Sequence, residues 1–239
     1  MADHLAVTIP LSNIERIQIY VNTARRSLSQ IQRETGADYI INGTLYNMST
    51  FKPNCHLRVN GETLCNPAYS VAGYAWNEGP DISMDLLPDP SQRNYIACTP
   101  LVVAGRALPE LTYDSGQGGK RGHTAMGIKG DRLALYCIRD GGTMERTPET
   151  LRDDLAAAGW ESAVMLDGGG SSQCYFKGDT IKSTRAVQNL ILVYLKGSDH
   201  TSKKVCLDPG HDAGNLAKKS PDGTYYEHEF ALNMGKRIQ

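Results

Sequence analysis

Ala163-Val164-Met165-Leu166-Asp167-Gly168-Gly169-Gly170-Ser171-Ser172 joins an apolar run to a carboxylate, three glycines and two hydroxyls. The run Ala163–Leu166 has the composition of a short buried strand, which delivers Asp167 to the rim of a sheet. Consecutive glycines let the backbone turn tightly and bring its N–H groups close to an anion, because no Cβ intervenes. Ser171 and Ser172 add hydroxyl donors. Taken alone, these residues also describe a tight turn whose aspartate caps the following backbone. Read as a site, they suit a substrate that carries a phosphate and must be attacked.

Outward from this stretch, strand and helix signals alternate. Ile14–Val21 reads as a strand rich in Ile and Tyr. Ser27–Thr35 reads as a helix with Leu28, Ile31 and Gln32 on one face and Gly36 as its stop. Ala37–Ile41 is a second strand that delivers Asn42-Gly43 at its end. Between Leu57 and Val103, short β-like runs at Tyr69–Val71, Tyr95–Cys98 and Leu101–Val103 alternate with Gly, Pro and Asn breaks. Gly116–Gly122 is a flexible basic loop leading into His123–Ile128 and the strand Leu133–Ile138, with a turn at Asp140-Gly141-Gly142. Thr147-Pro148-Glu149 opens a helix with a capping hydroxyl, a proline at its first position and an acid in its first turn. Leu151, Leu155 and Ala158 share a face of that helix, Gly159 ends it, and Leu190–Leu195 is a last strand. The expected fold is α+β: a mixed central β-sheet with flanking helices over residues 1–196, a polar linker at 197–203, and a short C-terminal strand–helix fragment at 204–239.

Composition narrows the partners. The 239 residues carry a net charge of −1, which gives no electrostatic reason to expect nucleic acid or an acidic membrane surface. No apolar run approaches the roughly 20 residues needed to span a bilayer. Met1–Val7 lacks the basic start and apolar stretch of a signal peptide, which suits a cytoplasmic protein or one associated with a phage or cell-wall particle. None of the six cysteines forms a Cys-x-x-Cys pair, so a thiolate zinc site is not expected. Cys98 and Cys137 read as small buried hydrophobes. Cys55 and Cys65 flank an Asn60-Gly61 turn, could face each other across a hairpin, and read as free thiols.

Asn42-Gly43, His123-Thr124-Ala125-Met126-Gly127 and Leu166-Asp167-Gly168-Gly169-Gly170-Ser171-Ser172 stand in the order seen in the phosphodiester glycosidase family, which the chain resembles over most of residues 1–196. Two positions depart from the family pattern. Thr44-Leu45-Tyr46 follows Gly43 where the family has a further glycine and aromatics, and His123 precedes Thr124 where the family has an arginine, with Arg121 two residues earlier. The resemblance implies a hydrolase acting on the sugar–phosphate bond of a glycosyl 1-phosphodiester, either an N-acetylglucosamine-1-phosphodiester or a cell-wall glycopolymer. Further on, Leu207-Asp208-Pro209-Gly210-His211 and Tyr226-Glu227-His228-Glu229-Phe230 resemble the opening of a zinc-dependent N-acetylmuramoyl-L-alanine amidase domain. That resemblance makes His211 and Glu227, with His228 beside them, an incomplete zinc site. The remaining ligand and the catalytic glutamate fall after Gln239, so no amidase activity is expected from these residues. Phe230, Leu232 and Met234 are expected to pack on the main domain or on a second chain, making a homo-oligomer through this segment.

Roles follow from the leaving group. A glycosyl 1-phosphodiester releases a stable phosphate monoester, so the paired acid of ordinary glycosidases is not demanded. Asp167 is the candidate base for water or the direct nucleophile, and His123 a candidate proton shuttle. Gly168, Gly169, Gly170, Ser171 and Ser172 are candidate donors to the phosphate, with Arg121 and Arg185 as clamps. Asn42, Gly43 and Thr124 are candidate substrate contacts, although Asn42 equally fits an ordinary turn. No cofactor is required, and assistance by a divalent metal is left open. A non-catalytic carbohydrate- or cell-wall-binding module and a fragment of a peptidoglycan amidase are the competing readings.

Overall fold

The computed structural model describes residues 2–68, 72–86, 89 and 91–200. The expected strand–helix fragment at 204–239, with Cys206, His211, Glu227 and His228, lies outside the described residues, as does the strand expected at Tyr69–Val71.

Two antiparallel sheets replace the single mixed sheet expected from the sequence. The larger has ten strands, ordered along its main path His4–Pro10, Arg132–Ile138, Thr124–Lys129, Ser162–Met165, Asn94–Val103, Leu57–Val59 and Glu62–Cys65. Ala72–Trp76 and Arg106–Ala107 also pair with Asn94–Val103, and Ile82–Asp85 pairs with Ala72–Trp76. The smaller has five strands in the order Asp179–Ile181, Cys174–Phe176, Tyr39–Asn42, Asn189–Leu195 and Ile14–Val21. A two-residue hairpin, Tyr46–Asn47 with Lys52–Pro53, stands apart from both.

Period-two alternation explains the layering. Ile41, Ile191 and Val193 point toward the larger sheet and pack with its Met126, Leu133, Leu135 and Val164. Their neighbours Ile40, Leu190 and Leu192 point the other way, onto Leu28 and Ile31 of the helix Leu28–Thr35. On the far side, Ala125, Ala134, Ala163 and Met165 meet Leu151 and Leu155 of the helix Pro148–Ala157. Each sheet is thus covered on one face by the other sheet and on the opposite face by one helix. Strands buried on both faces read as unbroken apolar runs, and the sequence pattern cannot distinguish one sheet from two.

Local signals hold where they depend on near neighbours. Ile14–Val21 is a strand over the expected residues. Ser27 and Gln30 form a reciprocal capping box, and Gly36 takes the left-handed conformation, φ 65°, that stops the helix. Thr147 caps the second helix with Pro148 in its first turn. The separate strands expected at Tyr95–Cys98 and Leu101–Val103 are one strand, Asn94–Val103, with a register shift between Pro100 and Val102 against Ser162–Met165. The opening residues of the expected linker are fastened to the fold: Ser198 Oγ donates to Asp38 Oδ1 at 3.0 Å, and His200 Nε2 lies 2.8 Å from the Leu195 carbonyl. Neither of the two described helices is long and apolar enough to cross a membrane.

Candidate active site

Asp167 sits where the two sheets meet. The strand Ser162–Met165 runs between Thr124–Lys129 and Asn94–Val103 in the larger sheet, and Leu166 adds one more bond to the Thr124 carbonyl, 2.8 Å. The next amide, Asp167 N–H, crosses to the Gly43 carbonyl at 3.0 Å, at the end of Tyr39–Asn42 in the smaller sheet. Asn42 completes the junction. Its Nδ2 donates to Thr124 Oγ1 at 2.9 Å and to the Asp167 carbonyl at 2.8 Å, while its Oδ1 accepts the Gln173 amide at 3.1 Å. Thr124 Oγ1 donates to the same Asp167 carbonyl at 2.6 Å.

This geometry assigns Asn42 and Thr124 to the frame behind the site. Both are completely buried, neither lines the cleft, and both bond the Asp167 carbonyl. Gly43 belongs with them: a Cβ there would come within 2.0 Å of Asn189 Oδ1, which accepts the Thr44 amide. Asn42, Gly43 and Thr124, expected as substrate contacts, stand behind the cleft lining.

The three glycines have three different reasons. At Gly168 a Cβ would meet the Gly122 carbonyl at 2.8 Å, at Gly169 the backbone is left-handed with φ 56°, and at Gly170 a Cβ would stand 2.6 Å from an Arg185 guanidinium nitrogen. Four of the N–H groups expected to face an anion have partners within the protein. Gly168 N–H donates to Asp167 Oδ1 at 2.9 Å, Gly169 to the Gly122 carbonyl at 2.8 Å, Ser171 to Gly168 at 3.2 Å and Ser172 to Gly169 at 2.9 Å. The backbone closes in a single 3₁₀ turn, Gly169–Ser171, and these four donors are bonded within the protein. Ser172 is buried with its hydroxyl unpartnered, and it and Gly170 stay outside the cleft lining.

The cleft that opens over Asp167 has a volume of about 720 Å³. Of the residues proposed from sequence it brings together Asp167, His123, Arg121, Gly168, Gly169, Ser171 and Arg185. Burial raises the Asp167 carboxyl to about 6, against the pull of a hydrogen bond from Ser171 and the charge of Arg185. Arg121 and Arg185 approach Gly169 together, each with an atom within 4 Å of where its Cβ would stand. Arg121 is held by its Nη1 on the Gly116 carbonyl, and Arg185 Nη1 lies 2.6 Å from Met48 Sδ. Asp114, the other carboxylate on the cleft wall, is committed to the Gly116 amide at 2.7 Å.

His123 is 1% exposed, and burial lowers its imidazole to about 4. The ring is therefore neutral near pH 7, and the cations lining this cleft are Arg121 and Arg185.

Several cleft residues carried no sequence signal for function. Tyr46 hydrogen-bonds the Ala186 carbonyl at 2.6 Å and shares the Ser171 hydroxyl with Asp167. Tyr113 is anchored to Glu149 of the second helix at 2.5 Å. Gln117 Nε2 reaches Cys98 Sγ at 3.8 Å, and Cys98 in turn hydrogen-bonds Cys55. Cys55 thus meets Cys98 and not Cys65, which lies opposite Leu57 in its hairpin; the five described cysteines are free thiols. These residues converge from separate loops, and only Tyr46, close behind Asn42-Gly43, sits near a recognisable motif. Among the described residues no three His, Cys, Asp or Glu side chains converge as metal ligands.

A profile of the phosphodiester glycosidase family matches residues 35–194. Among solved structures, the catalytic domain of zebrafish N-acetylglucosamine-1-phosphodiester alpha-N-acetylglucosaminidase, described as auto-inhibited by its pro-peptide, superposes with a TM-score of 0.61 at 13% identity, covering 81% of this chain and 84% of that one. A hypothetical protein from Synechocystis superposes with a TM-score of 0.65 at 12% identity, covering 81% of this chain and 59% of that one. Among curated proteins none matches in sequence.

Proposed function

The chain belongs to the phosphodiester glycosidase family, and on that premise we propose that it hydrolyses the sugar–phosphate bond of a glycosyl 1-phosphodiester, with an N-acetylglucosamine-1-phosphodiester or a cell-wall glycopolymer of that linkage as substrate. The observation that carries this reading is a carboxylate tuned to about 6, Asp167, in a cleft that also presents two guanidinium groups. A base poised near neutral pH combines adequate ionisation with adequate proton affinity.

In this reading Arg121 and Arg185 hold the phosphate and turn the sugar C1 toward Asp167. Asp167 takes a proton from water as the water oxygen bonds to C1. The bond from C1 to the phosphate oxygen breaks, its electron pair leaves on the phosphate monoester, and Asp167 returns the proton to solvent. The monoester's second pKa is about 6, so it departs without a protonating acid. A cleft whose second carboxylate is already tied to a backbone amide suits such a substrate better than an ordinary glycoside. His123, neutral, supplies a hydrogen bond and no charge. Asn42 and Thr124 position Asp167 through its carbonyl.

Phosphorus NMR on an N-acetylglucosamine-1-phosphodiester tests the reading. The native protein should release a phosphate monoester, and Asp167→Asn should slow release by about 10³-fold while the diester still binds. Binding without monoester release by the native protein, across the N-acetylglucosamine diester and a panel of glycopolymers, would overturn it in favour of a binding module.

A further inference from the structure

A second depression lies beside the cleft and shares Arg185 with it. Its volume is about 660 Å³, and its lining includes Arg25, Arg26, Lys182 and Arg185 with no carboxylate among them. The chain as a whole carries 25 basic and 26 acidic residues, so a wall with four cations and no acid is a local excess. One carboxylate, Glu34, reaches Arg26 at 3.1 Å, and Arg25, Lys182 and Arg185 leave the groove strongly positive.

The divide between the two depressions is thin. Thr184 N–H and Thr184 Oγ1 both bond to the Gly170 carbonyl, at 2.9 Å and 3.3 Å, so the groove's wall is fastened directly to the glycine turn of the cleft. A second connection runs over the rim. The Arg25 guanidinium stacks on Phe51 at 4.0 Å, and Phe51 stands edge-on to Tyr46 of the cleft with ring centroids 5.4 Å apart. Arg25 and Phe51 both have left-handed backbones, φ 53° and 56°, a conformation that costs a non-glycine residue about 1 kcal/mol.

We propose that this groove binds the next phosphate of a polymeric substrate, so that the protein acts on a repeating glycosyl-phosphate polyanion in preference to a diester with a single phosphate. The inference rests on the phosphodiester reading of the cleft. Arg185 contacts the phosphate being released and faces the neighbouring one, while Arg25 and Lys182 contact only the neighbour. A polyanion gains from such a track through release of its condensed counterions, which makes its binding salt-dependent.

The probe is inorganic tripolyphosphate, titrated calorimetrically at about 50 mM and about 200 mM salt, where counterion release separates the two conditions. Arg25→Glu combined with Lys182→Glu should weaken binding by about tenfold or more at the lower salt and flatten its salt dependence. The neutral pair Arg25→Gln with Lys182→Gln should weaken it less, and it serves in place of the first pair if charge reversal prevents folding. A control, Lys129→Glu with Arg132→Glu on a strand turn away from the groove, should leave binding within about twofold. Groove variants that bind as tightly as native, or a control that weakens binding equally, would overturn the proposal. Turnover separates this failure from failure of the cleft reading. Lys182→Glu alone, which leaves the contact through Phe51 to the cleft intact, should hydrolyse a single-phosphate diester at the native rate and lose about twofold or more of the preference for a polymer. Loss of tripolyphosphate binding without any native turnover would instead leave an anion groove beside a cleft of another function.

Discussion

Asn42 holds Asp167 by its main chain and not by its carboxylate: the Asn42 amide donates at 2.8 Å to the Asp167 carbonyl, across the seam between two sheets. The carboxylate is left to the cleft, where Gly168 and Ser171 are its hydrogen-bond partners. Backbone anchoring fixes where the acid stands without neutralising it.

Asn42→Ala should therefore damage stability and rate together. It strips partners from the buried Thr124 hydroxyl and Gln173 amide and from the partly buried Asp167 carbonyl, for a loss of about 2–4 kcal/mol. Denaturant unfolding measures the first effect. In the fraction that folds, kcat should fall by more than KM rises, because the displaced group is Asp167 and not a phosphate ligand. A variant with native kcat would remove Asn42 from the positioning role.

Activity should have an acid limb near pH 6. In the proposed reaction Asp167 must be ionised to take a proton, and its carboxyl is raised to about 6, so kcat/KM should fall as pH drops through that value. His123 is already neutral above about 4, so His123→Gln should leave the limb in place even where it lowers the rate. A limb that vanishes with His123→Gln would reassign it to the imidazole.

Stability should respond to the same two groups in opposite directions. Asp167 is raised from 3.8 to about 6, so the folded state holds a proton that the unfolded chain releases, and this contribution shrinks as pH rises from 4 to 6. His123 is lowered from 6.5 to about 4, so the unfolded chain takes a proton that the folded state refuses, and stability is lost as pH falls from 6.5 to 4. Relative to native, Asp167→Asn should gain about 1–3 kcal/mol at pH 7 and lose that advantage on acidification. His123→Gln should lose less stability than native between pH 6.5 and 4. Urea midpoints across this range decide both signs.

Two glycine substitutions should separate fold from site. Gly43→Ala places a Cβ 2.0 Å from Asn189 Oδ1 and 3.1 Å from its backbone oxygen, both inside the seam, and should cost about 2–4 kcal/mol. Gly170→Ala meets Thr184 Oγ1 at 2.5 Å and the Arg185 guanidinium at 2.6 Å, both on exposed residues whose side-chain ends can shift. It should fold within about 1 kcal/mol of native and raise KM severalfold by displacing a phosphate ligand. Thermal unfolding and steady-state kinetics on the pair check the contrast.

Some of this was legible in the chain. Ile14–Val21, the Ser27 and Thr147 caps, the Gly36 stop and the turn after Leu166 depend on residues a few positions apart, and they stand as the sequence reads. Asp167, Arg121, His123 and Arg185 were marked by type and spacing, and the structure gathers them into one cleft. Tyr113, Gln117, Cys55 and Cys98 were not, because each becomes part of the cleft only after loops distant in sequence are brought together.

The sequence by itself determined the strand Ile14–Val21, both helices with their caps, and the turn that presents the Asp167 carboxylate. Tertiary structure decided that there are two sheets, because Ile40 and Ile41 are equally apolar and only packing sends one to a helix and the other to the facing sheet. It also decided that the Gly168 and Gly169 amides are bonded within the protein, that Asn42 and Thr124 hold the Asp167 backbone, and that His123 is neutral. The physical reason is common to all four. Backbone preference is set by neighbours along the chain, whereas burial, hydrogen-bond satisfaction and protonation are set by neighbours in space.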